Sequence, residues 1–197
     1  MRMTRENPHK RNGLVGYFGY GSLVNRATHD YAPAVPARLR GWRRVWRHTV
    51  LRPFAFLSVE PADAEIDGLV AAVPHGDWSA LDQREAAYDR TGLAAGALRH
   101  DAGWAQSVEI YAVARDHADP AARHPILLSY LDVVVQGFLR EFGTTGANGF
   151  FASTQGWETA ILDDRAAPVY PRHQVLTKGE TAFVDETLHR LGIKTAP

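Results

Sequence analysis

Leu14-Val15-Gly16-Tyr17-Phe18-Gly19-Tyr20-Gly21-Ser22-Leu23-Val24-Asn25 joins an apolar run to a glycine-rich turn. Leu14 to Tyr20 reads as a first strand, and its near-continuous apolarity implies burial on both faces. The strand then ends in a turn that carries a hydroxyl and an amide. Gly19 and Gly21 let backbone approach a ligand closely, or take up positive φ, which residues with a Cβ resist. Successive N–H groups in such a turn can converge on an anion or a developing oxyanion.

Outward from that turn the pattern alternates short strands with a few helices. Leu23 to His29 reads as a short helix or turn. Residues 36–50 place Trp42, Val45, Trp46 and Val50 among arginines, as one or two partly solvent-facing strands do. Phe54 to Val59 and Ile66 to Val73 read as two strands, separated by the turn-like Pro61-Ala62-Asp63-Ala64. Residues 77–88 read as a helix with Asp77 as N-cap, and Leu81, Glu85 and Tyr88 share one face at i, i+4 and i+7. Ser107 to Ala114 is a strand. Pro125 to Phe142 is the clearest helix, with Pro125 at N1, Gly143 at C′ and an apolar stripe of Leu127, Leu131, Val134, Val135, Phe138 and Phe142. Residues 144–173 read as a long loop region, and Glu180 to Leu191 as a final amphipathic helix ending at Gly192. Strands outnumber helices and only one strand-helix-strand unit is plausible, so the expected class is α+β, a mixed sheet with helices packed outside.

The 197 residues suffice for one domain with a real core, and 45% hydrophobic residues make it globular. We expect a single domain over 14–197, with a C-terminal extension from about residue 144, after a polar, flexible tail at 1–13 without a secretory h-region. Lys plus Arg number 22, as do Asp plus Glu, so no global charge attracts nucleic acid or an anionic membrane. No stretch approaches the ~18 apolar residues of a membrane helix. The chain has no cysteine, which removes disulfides and thiol chemistry and fits a cytoplasmic setting.

Glu85 carries the first chemical signal. A carboxylate on a core-facing stripe is desolvated, and its pKa rises toward neutrality, as general acid–base work requires. The plainer reading is a surface glutamate on a helix whose core face is Trp78, Leu81 and Tyr88, paired with Arg84 or Arg90. The helix alone leaves both open.

The glycine turn, Leu81-Asp82-Gln83-Arg84-Glu85 downstream, Pro36-Ala37-Arg38-Leu39 with Gly41-Trp42, Ile66-Asp67-Gly68-Leu69-Val70, Tyr88 and Arg90 after the glutamate, the strand Val108 to Val113 and the helix bearing Tyr130 form an ordered set. Across about residues 14 to 142 it resembles the gamma-glutamylcyclotransferase-like superfamily. The resemblance implies a small mixed β-barrel flanked by helices. It also implies release of 5-oxoproline, in which the substrate's α-amine attacks its own γ-carbonyl and expels an amine. Glu85 would then be the acid/base, and Tyr20, Gly21, Ser22 and Leu23 the cradle for the glutamyl end. No metal or organic cofactor is implied. The turn departs from the commonest form, in which Asn follows Ser directly; here Leu23 does. The Gly-Tyr-Gly-Ser-Leu form is more like the glutathione-degrading branch, yet Arg52-Pro53-Phe54 stands where other signatures of that branch belong. The leaving amine is therefore open: an amine or amino acid, or Cys-Gly if glutathione is the substrate.

Other chemistries fit less well. Gly19-x-Gly21-x-x-Val24 lacks the third glycine of a dinucleotide fingerprint, and no Gly-Lys-Ser/Thr is present for a P-loop. Ser22 lacks the Gly-x-Ser-x-Gly elbow of a nucleophile. His9, His29, His48, His75, His100, His117, His124, His173 and His189 show no ligand spacing, which favours surface and capping roles over a metal. Arg38, Arg40, Arg43, Arg44, Arg47 and Arg52, interleaved with Trp42 and Trp46, look like a nucleic-acid patch; the zero net charge favours a basic solvent face instead. Arg52, nearest a strand end, is a candidate for a substrate carboxylate. Tyr88 and Tyr170 are further candidate substrate contacts. The segments 150–157 and 168–172 read equally as pocket-mouth loops or as ordinary C-terminal packing. We expect an enzyme acting on a small gamma-glutamyl substrate. The contrasting class is a non-catalytic member that binds a small metabolite, against which Glu85 argues, since a binder needs no acid/base.

Overall fold

The computed structural model describes residues 13–196. The tail expected over 1–13 lies outside them, apart from Gly13. β1 (Leu14–Gly19) is an inner strand, and its last four residues are buried. It pairs antiparallel with β3 (Phe56–Ala72) and parallel with β6 (Ala105–Val113). β2 (Ala34–Arg47) lies antiparallel along β3, and β5 (Leu98–His100) along β2. β4 (Tyr88–Gly92) closes the other edge on β6. The sheet runs β4-β6-β1-β3-β2-β5, with β8 (Thr154–Gln155) also joining β2 in parallel. Among the described residues these pairings form an open path, and no pairing joins its ends into the barrel that the resemblance implies. A second, small parallel sheet comprises β7 (Ile126–Leu127), β9 (Ile161–Leu162) and β10 (Thr195–Ala196). The class is α+β.

The two strands expected over 54–59 and 66–73 are one strand, β3. Pro61 stands opposite Trp42, where the register shifts at Gly41, whose φ is +81°. A proline has no N–H for the ladder, and the three residues after it, Ala62 to Ala64, bulge opposite Gly41 alone before pairing resumes at Glu65. Acidic residues of β3 also meet the basic face of β2: Arg38 binds Asp67, Arg40 binds Glu65, and Arg43 and Arg47 share Glu60. The arginine-rich stretch is thus neutralised locally, strand against strand.

The helix expected over 77–88 is shorter. α1 covers Ser79–Arg84, and Glu85 is its C-terminal cap. Asp77 Oδ1 accepts from the Ser79 N–H at 2.9 Å, one residue outside the cap position. Tyr88 opens β4 opposite Val113, so Leu81, Glu85 and Tyr88 do not share a helical face. Pairing with β6 outweighs the local helical pattern.

The long helix is displaced toward the C-terminus. α2 spans Leu128–Ala152, and Pro125 lies ahead of β7 rather than at N1. Gly143, at φ +64° and ψ −167°, interrupts the helix as its C′ reading anticipated, but the chain re-enters helix and runs on to Ala152. Residues 144–152 are therefore not loop. Leu131, Val134, Val135 and Phe138 of α2 pack against Leu39, Leu57, Leu69 and Val70 of the sheet in the main core. α3 (Lys178–Arg190) begins on a capping box, Thr177 with Glu180.

Candidate active site

The glycine turn is fixed from behind. After β1 the chain makes two single-turn 3-10 segments, Ser22–Val24 and Arg26–Thr28. The Tyr20 carbonyl accepts from Arg44 Nε at 2.8 Å, and the Gly21 carbonyl from the Val24 N–H at 2.9 Å. The Ser22 carbonyl accepts from Thr28 Oγ1 at 3.0 Å, and the Leu23 carbonyl from His29 Nε2 at 2.9 Å. His29 Nδ1 accepts the Tyr31 N–H at 3.2 Å, so the proton sits on Nε2 of a neutral ring, and burial lowers the His29 pKa accordingly. With these four carbonyls engaged, the N–H groups that open the first turn have no carbonyl partner within it, and the Ser22 N–H is turned toward the Tyr130 hydroxyl, where it opposes the rise that burial gives that group's pKa. A Cβ on Gly21 would sit 2.8 Å from the Tyr130 hydroxyl, so glycine is what lets α2 come this close. α2 is held there by Asn25, whose Nδ2 donates to the Val133 carbonyl and to Gln136 Oε1, each at 2.9 Å.

Arg44 anchors this arrangement and is fully buried. Besides the Tyr20 carbonyl it binds Ser153 Oγ at 2.8 Å and the Asp67 carbonyl, with its guanidinium 4.8 Å from the Phe138 ring centre. Burial depresses its pKa below the ordinary arginine value. It thus ties the end of β1 to β3 and to α2, a role that its place among solvent-facing arginines hides in the sequence.

Glu85 projects from the end of α1 into a cavity of about 130 Å³ that Ser22, Tyr88, Tyr130, Tyr170 and Arg172 also line. A smaller space of about 30 Å³ shares Ser22, Glu85, Tyr88 and Tyr130 and reaches Tyr20, Gly21 and Leu23. The Glu85 side chain is 15% exposed, and Arg84 Nε lies 3.2 Å from its Oε1. Burial pushes the Glu85 pKa up, and the charges of Arg84 and Arg172 oppose that only in part. The surrounding tyrosines are held neutral by burial, which raises the pKa of Tyr20, Tyr88 and Tyr130. Tyr20 donates to the Tyr111 carbonyl at 2.7 Å and Tyr88 to the Leu57 carbonyl at 3.0 Å. The chemistry on offer is a proton-accepting carboxyl beside a backbone turn with N–H groups to give.

The structure brings Tyr20, Gly21, Ser22, Leu23, Glu85, Tyr88 and Tyr170 to this space, although the Tyr20 hydroxyl is already committed. It does not bring Arg52 there. Arg52 is exposed in the connection between β2 and β3, and Phe54 takes the place at the cavity; hydration keeps the guanidinium outside while the ring is half-buried. The cations at the site are Arg84 and Arg172. Arg84 was legible only as a partner for Glu85; Arg90, the other such candidate, instead binds Asp82 and Glu109. Tyr130 lies next to the α2 stripe, a position at which an aromatic ring with a polar tip is a usable signal. Arg172 belongs to the 168–172 segment, whose pocket-mouth reading is the one its place beside Tyr170 on the cavity fits; Phe54 and Phe56 gave no signal.

A larger depression of about 920 Å³ lies elsewhere, walled by Arg43, Arg47 and Arg123 with Glu60, Asp119 and Glu158. Its charges alternate in sign and it buries no carboxylate, so the chemistry is placed in the smaller cavity. Among the described residues no cluster of His, Asp or Glu gathers as a metal site, and no helix is long and apolar enough to cross a membrane.

No family model and no curated protein matches the chain. Solved structures do. One described as a gamma-glutamyl cyclotransferase superposes with a TM-score of 0.54 at 13% identity, over 87% of this chain and 98% of its own. YkqA from Bacillus subtilis gives 0.51 at 18% identity, over 73% of this chain and 56% of its own, so this chain spans little more than half of YkqA. The likeness is one of fold: the chain has a gamma-glutamylcyclotransferase-like fold.

Proposed function

We propose that this chain is a gamma-glutamyl cyclotransferase, releasing 5-oxoproline and a free amine or amino acid from a small gamma-glutamyl substrate. One observation supports the reading above others: a buried glutamate with a raised pKa, Glu85, lines the same cavity as a glycine turn whose carbonyls are engaged from behind. The reading carries with it a cytoplasmic setting.

In the proposed reaction the substrate's neutral α-amine attacks its γ-carbonyl. A C–N bond forms, and the carbonyl oxygen takes up negative charge against the turn's N–H groups. The Glu85 carboxylate removes a proton from the attacking nitrogen. The Glu85 carboxylic acid then gives that proton to the departing nitrogen as the old C–N bond breaks, which restores the carboxylate. Five-membered ring closure asks chiefly for held geometry. A pKa raised by burial suits a group that must both take and return the proton.

The test is 5-oxoproline release from a panel of gamma-glutamyl amino acids, gamma-glutamyl amines and glutathione. Wild type is expected to act on at least one member. Glu85→Gln is expected to lose about 10²- to 10⁴-fold in kcat, the range for a general acid–base group, with circular dichroism unchanged. A folded wild type inert on the whole panel, or an active Glu85→Gln variant, overturns the reading.

A further inference from the structure

The wall of the Glu85 cavity away from the glycine turn is made of groups that ring closure does not use. Phe54 and Phe56 stack with ring centres 5.5 Å apart, and Tyr130 and Tyr170 cross at 5.0 Å and 87°. Arg172 stands with them, exposed at the rim.

The two cations of the site differ in their engagement. Arg84 is committed: it pairs with Glu85 and donates to the Thr28 carbonyl at 3.1 Å and to Thr28 Oγ1 at 3.3 Å. Arg172 forms no ion pair among the described residues, although its charge is felt at Glu85. The segment that carries it is pinned. Buried Asp164 accepts from the Ser129 N–H at 2.7 Å and the Val169 N–H at 2.9 Å, and Ser129 Oγ accepts from the Tyr170 N–H at 3.3 Å. A guanidinium without a protein anion, carried on a fixed segment at the rim of an aromatic wall, has the chemistry to receive a carboxylate joined to an apolar group.

If the glutamyl half of a substrate lies on the glycine turn and the scissile amide at Glu85, the departing half must lie along this wall. We propose that Phe54, Phe56, Tyr170 and Arg172 form the subsite for the leaving group, and that it selects an amino acid with a large apolar side chain, whose carboxylate Arg172 holds. This inference rests on the cyclotransferase reading above.

The experiment measures 5-oxoproline release from gamma-glutamyl-phenylalanine, gamma-glutamyl-alanine and gamma-glutamyl-phenethylamine, the last keeping the ring but lacking the carboxylate. One charge-assisted hydrogen bond corresponds to about 10- to 100-fold, so wild-type kcat/KM is expected to favour the phenylalanine substrate over the phenethylamine one by that factor, chiefly through KM. In Arg172→Gln the ratio is expected to collapse toward one. The alanine substrate is expected to trail the phenylalanine one by roughly 10-fold, a gap that Phe54→Ala narrows. Arg172→Gln lowering all substrates equally assigns the arginine to the glutamyl half and overturns this inference, as does wild-type turnover without discrimination; either leaves the cyclotransferase reading standing. Release from no substrate of this trio or the wider panel overturns both.

Discussion

At the scale of single residues the site depends on a glutamate that is uncomfortable when charged. Burial raises the folded-state pKa of Glu85 above the usual 4.5. Well below pH 4.5 the carboxyl is protonated in both folded and unfolded chains. As pH rises through the folded value the unfolded chain holds the fewer protons, and the stability that the neutral group supplied is lost. Glu85→Gln keeps a neutral group at every pH. Its unfolding free energy should match wild type below about pH 4, exceed it increasingly as pH rises through the folded-state pKa, and hold a constant excess above that, read as urea unfolding across the range. A variant less stable than wild type at neutral pH would show that the Arg84 contact outweighs burial. Gly21 is constrained sterically. Gly21→Ala should lower activity at least tenfold, because its Cβ would meet the Tyr130 hydroxyl at 2.8 Å and Leu57 Cδ2 at 3.1 Å. Gly21→Ala combined with Tyr130→Phe removes the nearer contact, so the two changes should be non-additive in kcat/KM.

Elements place these residues more than they supply them. α1 matters because it ends at Arg84, which leaves Glu85 at the turn into β4. The segment after β9 matters because Asp164 knots it to the first turn of α2. Asp164→Ala removes three hydrogen bonds from a buried position. It should cost about 2–4 kcal/mol of stability, as loss of a buried charged acceptor does. It should also raise KM while changing kcat less, since Tyr170 and Arg172 lose their fixed frame. A kcat effect as large as that of Glu85→Gln would place the segment in the chemical step instead. At this scale β1 and the turn after it lie where the apolar run and the glycines put them. The 77–88 helix is shortened to Ser79–Arg84, and the short strands over 54–59 and 66–73 are joined as β3. Local pattern points to each element, and its extent is set by strand pairing with partners remote in sequence.

For the whole molecule the balance of charge is arranged as well as counted. Arg38, Arg40, Arg43 and Arg47 of β2 each face a carboxylate of β3. Such exposed pairs add little stability, about 0–1 kcal/mol each, but they cancel the field of the arginine-rich strand. The protein should therefore elute from heparin or DNA resin at low ionic strength. Strong retention released only by salt would point to a nucleic-acid surface.

The sequence alone determined the α+β class and the strand feeding a glycine turn, while the link between that turn and the downstream carboxylate was what the family resemblance implied. The first two rest on apolar periodicity and on residues with special backbone freedom, both local properties. Only the tertiary structure decided that Arg172 rather than Arg52 stands at the cavity, that Phe54 and Phe56 wall it, that Arg44 is a buried anchor rather than part of a solvent face, and that α2 runs on past Gly143. Each of these depends on which remote segment packs against the residue and on how much water that contact removes. The local pattern around a single arginine or phenylalanine does not carry that information.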